Sequence, residues 1–284
     1  MDNINAFSSF LRTNGKSENT VKGYVLDMKQ YFKWFAESFG QECKALYRQN
    51  VLDYTNYLKN IELNNAKTIN HKLSSLRSYN DFLISAGIQE DIVIARSDML
   101  KVQAEYASPT HITELEAKQF MQKVLESQNK RNYAIVTLLA YTGMRISESL
   151  SILLDDLNLQ SGECIVRNGK GNKQRTVFMN GKVINAIRDY IKERGKYSAA
   201  EASRFLFVSR ESQNLNRTVV NRIFQQYSAQ ITPHQLRHFF CTNAIEKGLS
   251  IHEVANQAGH SNINTTLLYT NPDKSKLKRK MELL

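Results

Sequence analysis

DMLKVQAEYASPTH, residues 98–111, is where the helical rhythm of the chain stops. On both sides apolar residues recur at three- and four-residue steps, the pattern of one helix face. Here no period survives, and Pro109 cannot donate a helical hydrogen bond. The stretch reads as an interdomain linker. Just beyond it, Thr113 and Glu116 have the spacing of a capping box, in which each side chain satisfies the other residue's backbone N–H and opens a new helix. The reading outward from this point is a helical domain over 1–97, a linker over 98–111, a second domain over 112–272 and a tail over 273–284.

Upstream, Ser17 is placed to cap a helix carrying Val21, Tyr24, Val25, Met28, Tyr31, Phe32 and Phe35, with Gly40 as its end. A second stripe holds Val51, Tyr54, Leu58 and Ile61, and a third Ile69, Leu73, Leu76, Tyr79, Leu83 and Ile84, stopping at Gly87. Three such stripes predict a small helical bundle. Lys22, Lys29, Lys67, Lys72 and Arg77 lie between them and are either solvated or turned to a polyanion. Downstream, an apolar helix over Tyr133–Tyr141 leads into TGMRISE (142–148). Two short alternating segments, Glu163–Arg167 and Arg175–Met179, flank the glycine-rich NGKGNK and predict a hairpin. Helices are expected again at Lys182–Arg194, Arg217–Tyr227, Pro233–Lys247, Ile251–Ala258 and Thr265–Tyr269. The fold class is therefore mostly α with a small β-sheet.

The chain has 284 residues and a net charge of +11. Residues 1–108 carry 13 basic and 12 acidic side chains, a net of +1, whereas residues 109–284 carry 25 and 15, a net of +10. A surplus concentrated in the second domain points to an anionic partner held mainly there. Cys43, Cys164 and Cys241 are odd in number and widely spaced, which supports neither a disulfide framework nor a structural zinc site. The first fifteen residues lack the layout of a signal peptide, and no apolar run approaches the ~20 residues of a membrane span. A cytoplasmic protein away from membranes is expected.

Several runs carry chemistry. In HQLRH (234–238) His234 and Arg237 are three apart and share a helix face, offering an imidazole and a guanidinium fork to one anion. Arg145 follows Thr142-Gly143 at a helix–turn–helix junction, with Glu148 three residues on to hold it. Lys170 and Lys173 stand on the glycine-rich turn, where a lysine can protonate a leaving oxygen. In AGHSNINTTLLYT (258–270) His260 sits at a glycine turn and Tyr269 nine residues later. Each run alone has an ordinary reading: a packing pair, a surface ion pair, a solvated turn, a half-buried tyrosine. Asp155 and Asp156, on an extended segment, would point to opposite faces, so they read as a strand-entry turn and not a metal site.

TGMRISE, GKGNKQR, HQLRH and GHSNINTTLLYT, in that order and with those gaps, resemble the tyrosine recombinase (phage integrase) family, especially its Xer-like members, over essentially the whole chain. The resemblance implies a helical N-terminal core-binding domain that contacts DNA and an α+β catalytic domain. It implies Tyr269 as nucleophile, forming a 3′-phosphotyrosyl link, Arg145 and Arg237 clamping the phosphate, and Lys170 protonating the departing 5′-oxygen, with Lys173 as second choice. His234 would be general base or proton relay, and His260 a hydrogen bond to the phosphate. Two arginines beside a phenol of pKa near 10 would favour the phenolate, so the resemblance implies no metal and no cofactor. It further implies double-stranded DNA at a recombination site as partner, a Holliday junction, a tetramer on DNA with a tail docked on a neighbour, and the resolution or integration of a mobile element. A type IB-like topoisomerase, a DNA-binding protein with a lapsed site and, more distantly, a phosphate-binding metabolic enzyme stay open at this point.

Overall fold

The computed structural model describes residues 2–102, 112–167, 174–260, 262–267 and 281–282. The chain divides into two compact units, Met1–Ala104 and Glu105–Leu284.

In the first unit, helices α1 (Asp2–Thr13), α2 (Glu18–Phe39), α3 (Arg48–Asn60) and α4 (Ala66–Ser85) enclose one core. Ser17 accepts the Thr20 N–H at the head of α2, and Gly40 ends it in the left-handed region at φ 66°, both as the sequence predicts. Met28, Tyr31, Leu73, Leu76 and Leu83 are the buried centre. Two details differ. No element is predicted at α1, yet Phe7 and Leu11 from it are fully buried; two apolar positions four apart are too few to make a periodic signal. Ile61, expected in the core, is 69 % exposed: α3 ends at Asn60, its last buried residue is Leu58, and Ile61 is its C-cap.

The second unit is built on α6 (Lys130–Thr142), buried on nearly every side from Ala134 to Ala140, as a helix at the centre of a domain must be. α5 (Glu114–Glu126) opens with the predicted Thr113–Glu116 box: Thr113 N–H donates to Glu116 Oε2 at 2.7 Å and Glu116 N–H to Thr113 Oγ1 at 3.2 Å. α7 (Ile146–Leu150) follows α6 after a glycine turn. A three-stranded antiparallel sheet then runs β1 (Leu157–Asn158), β2 (Glu163–Val166), β3 (Arg175–Phe178), with Cys164 opposite Val177. The predicted hairpin is present within a residue at each end, while β1, two residues long, is not foreseen. Asp155 and Asp156 lie in a short 3-10 turn, not an extended segment: Asp156 turns back to accept the Leu153 N–H and binds Arg167, whereas Asp155 binds Arg204. Helices α8 (Gly181–Arg194), α9 (Arg217–Tyr227), α10 (Pro233–Glu246), α11 (Ile251–Ala258) and α12 (Asn264–Leu267) complete the unit. Among the described residues no helix is long and apolar enough to cross a membrane.

Candidate active site

Four chain ends meet at one place: the end of α6, the start of α10, the end of α11 and the start of β3. Gly143 ends α6 at φ 64°, and a methyl group added there would lie 2.3 Å from Phe240 Cδ1. Only glycine satisfies both the left-handed backbone and that contact. The turn delivers Arg145 as N-cap of α7, where Glu148 reaches back to accept the Arg145 backbone N–H at 2.8 Å and its Nη1 at 2.8 Å.

Glu148 is 3 % exposed and has a second cation. Arg175, at the head of β3, donates Nη1 and Nη2 to the two carboxylate oxygens at 3.1 and 2.8 Å. Burial by itself would push the Glu148 carboxyl up, yet the hydrogen bond from Arg175 and those from Arg145 outweigh it and hold it below the ordinary carboxylate range. Arg175 also donates to the Gln257 and Ala258 carbonyls at the end of α11. Its guanidinium lies so close to Gly259 that a Cβ there would come within 2.4 Å of Arg175 Cζ. One buried carboxylate and one fork thus bind the strand, the Arg145 turn and the end of α11 together.

α10 begins with Thr232 and Gln235 in a capping box and Pro233 in the first turn. Arg237, 5 % exposed, donates through Nη1 to the Gly143 and Ala258 carbonyls at 2.6 Å each, which fixes a buried guanidinium between α6 and α11. His234, one turn earlier, is exposed. His260 follows Gly259, and its Nδ1 lies 2.7 Å from Thr266 Oγ1. Burial, then the charges of Arg237, Arg145, His238 and Arg175, lower its pKa to about 4, so the ring is neutral near pH 7. A neutral ring that accepts the Thr266 hydroxyl at Nδ1 keeps Nε2–H as a donor.

Arg145, His234, Arg237 and His260 line one cleft of about 660 Å³, together with Arg217 and Asn221 from α9. Among the described residues that line it there are three arginines and two histidines and no carboxylate. Such a surface holds an anion with several oxygens and stabilises charge that builds on it. Lys170, Lys173 and Tyr269 lie outside the described residues. Sequence reading passes over three residues here. Arg175 ends the GKGNKQR run, but its partner is 27 positions away. Arg217 has no local signal beyond the Asn216 cap. His238 closes HQLRH, and its spacing of four from His234 is the clue that went unused.

The sequence model of the Phage integrase family matches residues 110–276, and that of the phage integrase N-terminal SAM-like domain matches residues 4–87. The chain is 63 % identical to the TnP I resolvase of Bacillus thuringiensis over 284 residues, all of both chains. It is 29 % identical to the tyrosine recombinase XerA of Pyrococcus furiosus over 288 aligned residues, 98 % of this chain and 92 % of that one. Among solved structures, the XerH site-specific recombinase bound to a palindromic difH substrate aligns with a TM-score of 0.75 at 20 % identity, over 96 % of this chain and 84 % of that one; at that identity the likeness bears on the fold. A match across more than half of the chain, together with a relative alike from end to end, places this protein in the phage integrase family, the tyrosine recombinases.

Proposed function

We propose that the chain cuts and rejoins double-stranded DNA at a specific recombination site, through a 3′-phosphotyrosyl intermediate and a Holliday junction, in resolving or integrating a mobile element. The observation that carries this reading is the cleft in which Arg145, Arg237, His234 and His260 converge, with no carboxylate among the described residues that line it. Arg145 and Arg237 bind the non-bridging oxygens and offset the charge of the pentavalent transition state. Tyr269 attacks phosphorus, His234 takes the phenolic proton, and His260 donates a hydrogen bond to the phosphate. Lys170 protonates the 5′-oxygen, with Lys173 as the alternative. Residues 1–97 read bases in the major groove and residues 112–272 grip the backbone around the cut, joined by 98–111. The identity to a relative named a resolvase supports the mobile-element errand. The XerH structure is a complex with a recombination substrate, which supports DNA as the partner.

The test is covalent trapping. Wild type and Tyr269→Phe are incubated with nicked suicide sites from the native target region, without magnesium, and separated on a denaturing gel. An adduct from wild type that is absent from the phenylalanine variant is expected. Tight binding by both with no adduct from either would favour a DNA-binding protein. Assembly is tetrameric on DNA in this reading, with residues 273–284 docked on a neighbour. Deleting residues 275–284 weakens cooperative assembly, and unchanged cooperativity would refute that docking.

A further inference from the structure

Four residues after His234 stands His238, in the HQLRH run but without a part in the chemistry above. Positions four apart on α10 face each other one turn along the helix. The two rings are edge-on, with centroids 4.3 Å apart at 86°, and their Nε2 atoms are 2.8 Å apart. At that separation one nitrogen donates and the other accepts. Two imidazolium rings would present two donors to each other, so the contact holds one hydrogen and excludes the doubly charged pair. His234 lines the cleft with Arg145, Arg217, Arg237 and His260. His238 is half-buried behind it, close enough to His260 that its charge, with burial, Arg237, Arg145 and Arg175, favours the neutral His260 ring. The cleft wall that His234 shares with Arg145, Arg217 and Arg237 is cationic, and that charge opposes a second proton on the pair.

We propose that His238 is a positioning residue that sets the proton state of His234 and receives the proton His234 takes up, so that the two rings form a relay. The proposal rests on the reading of His234 as the proton acceptor in strand cleavage. In the resting pair His234 Nε2–H donates to the bare Nε2 of His238, whose proton sits on Nδ1. As the Tyr269 O–H bond breaks, its proton passes to His234 Nδ1 and its electron pair goes into the new O–P bond. The His234 Nε2–H bond breaks and a His238 Nε2–H bond forms. His234 ends neutral as the Nδ1–H tautomer and His238 ends as imidazolium. The bond from phosphorus to the 5′-oxygen breaks with its electrons on oxygen, which takes its proton from the lysine. Religation reverses every transfer. The advantage is electrostatic: the ring that lines the three-arginine cleft never has to keep a charge.

The experiment is single-turnover cleavage of a suicide substrate at saturating protein across the pH range, for wild type, His238→Gln, His234→Gln and the double variant, with DNA affinity measured in parallel. Glutamine hydrogen-bonds but does not titrate, and His238→Asn serves as a second such replacement if the first folds poorly. We expect His238→Gln to cleave roughly tenfold more slowly, less than the ~10²–10⁴-fold of a whole acid–base contribution because His234 is still present to take the proton, with DNA affinity unchanged and one ionisation missing from the rate profile. In the His234→Gln background the same change should cost nothing, because His238 acts through His234. An equal loss in both backgrounds, or a wild-type profile in His238→Gln, overturns the relay. Wild-type rates in His234→Gln overturn the reading beneath it. The pairing itself is checked separately by ¹⁵N imidazole spectra of the DNA-free protein. Coupled, two-step titration of His234 and His238 is expected, and two independent titrations at the ordinary histidine value overturn the shared proton.

Discussion

Replacing Glu148 by glutamine changes one atom and should disable the joint on which the site is built. The carboxylate is 3 % exposed and accepts from the Arg145 N–H, Arg145 Nη1, Arg175 Nη1 and Arg175 Nη2 at 2.8 to 3.1 Å. An amide puts an NH₂ where one oxygen accepted two of these bonds, so donor faces donor. Two charge-assisted bonds are lost, at about 1.5–3 kcal/mol each, and two guanidiniums lose their buried counter-charge. The expected destabilisation is about 3–5 kcal/mol, the range for breaking a buried ion pair from one side. With a urea slope of about 2 kcal/mol per molar, the midpoint should fall by roughly 1.5–2.5 M. The two units can be followed apart in the intact chain. Trp34, the sole tryptophan, lies in the core of the first unit, so its fluorescence follows that unit while circular dichroism follows the helices of both. Glu148→Gln should move the dichroism transition of the second unit and leave the Trp34 transition in place. A shift below about 0.5 M, under about 1 kcal/mol at that slope, would refute the view that this carboxylate holds Arg145 and Arg175 together.

Further outcomes follow from the same geometry. Folding lowers the His260 pKa to about 4 from the model-peptide 6.5, so the unfolded chain binds more protons between those values. Its contribution therefore erodes stability as pH falls through that window and adds nothing below it. His260→Asn should flatten the unfolding midpoint against pH there, and a ring that titrates near its ordinary value in the folded protein would contradict this. Glu148 has the opposite origin and the same direction: its lowered carboxyl stabilises the fold above the unfolded pKa, and that contribution is lost as pH falls through the folded one. Gly143→Ala must push Phe240 aside and hold φ 64° with a side chain, at about 1–3 kcal/mol for overpacking; a melting temperature lower by roughly 3–10 °C is expected, and an unchanged one would mean that the Phe240 ring gives way freely. Arg217→Gln, which removes one guanidinium from the cleft, should reduce the slope of log affinity against log salt by about 1. A flat salt response in the wild type would contradict an extended grip on phosphates.

Local sequence carried a good deal of the architecture. Ser17 and Gly40, the Thr113–Glu116 box and Pro233 each act within a few residues of themselves, and the helices begin and end where those side chains require. The periodic stripes identify the helix faces that make the two cores, because burial of an amphipathic face selects a spacing that survives in the linear chain. HQLRH puts His234 and Arg237 on one face for the same reason. α1 escaped because its two buried residues are too few to show a period, and β1 because two residues show none.

What the linear chain does not contain is the choice of partner across distance. Arg175 meets Glu148 from 27 residues away, Arg237 meets the Ala258 carbonyl from 21 and the Gly143 carbonyl from 94. Those unions decide which arginines are held inside the protein and which face the cleft, and they make His260 neutral. Sequence by itself determined that two arginines, two histidines, a lysine turn and a tyrosine occur in a recombinase's order. Only the tertiary structure decided which charges balance which, because a pKa and a guanidinium's direction are set by whatever the fold brings within a few ångströms, and separation along the chain says nothing of that distance.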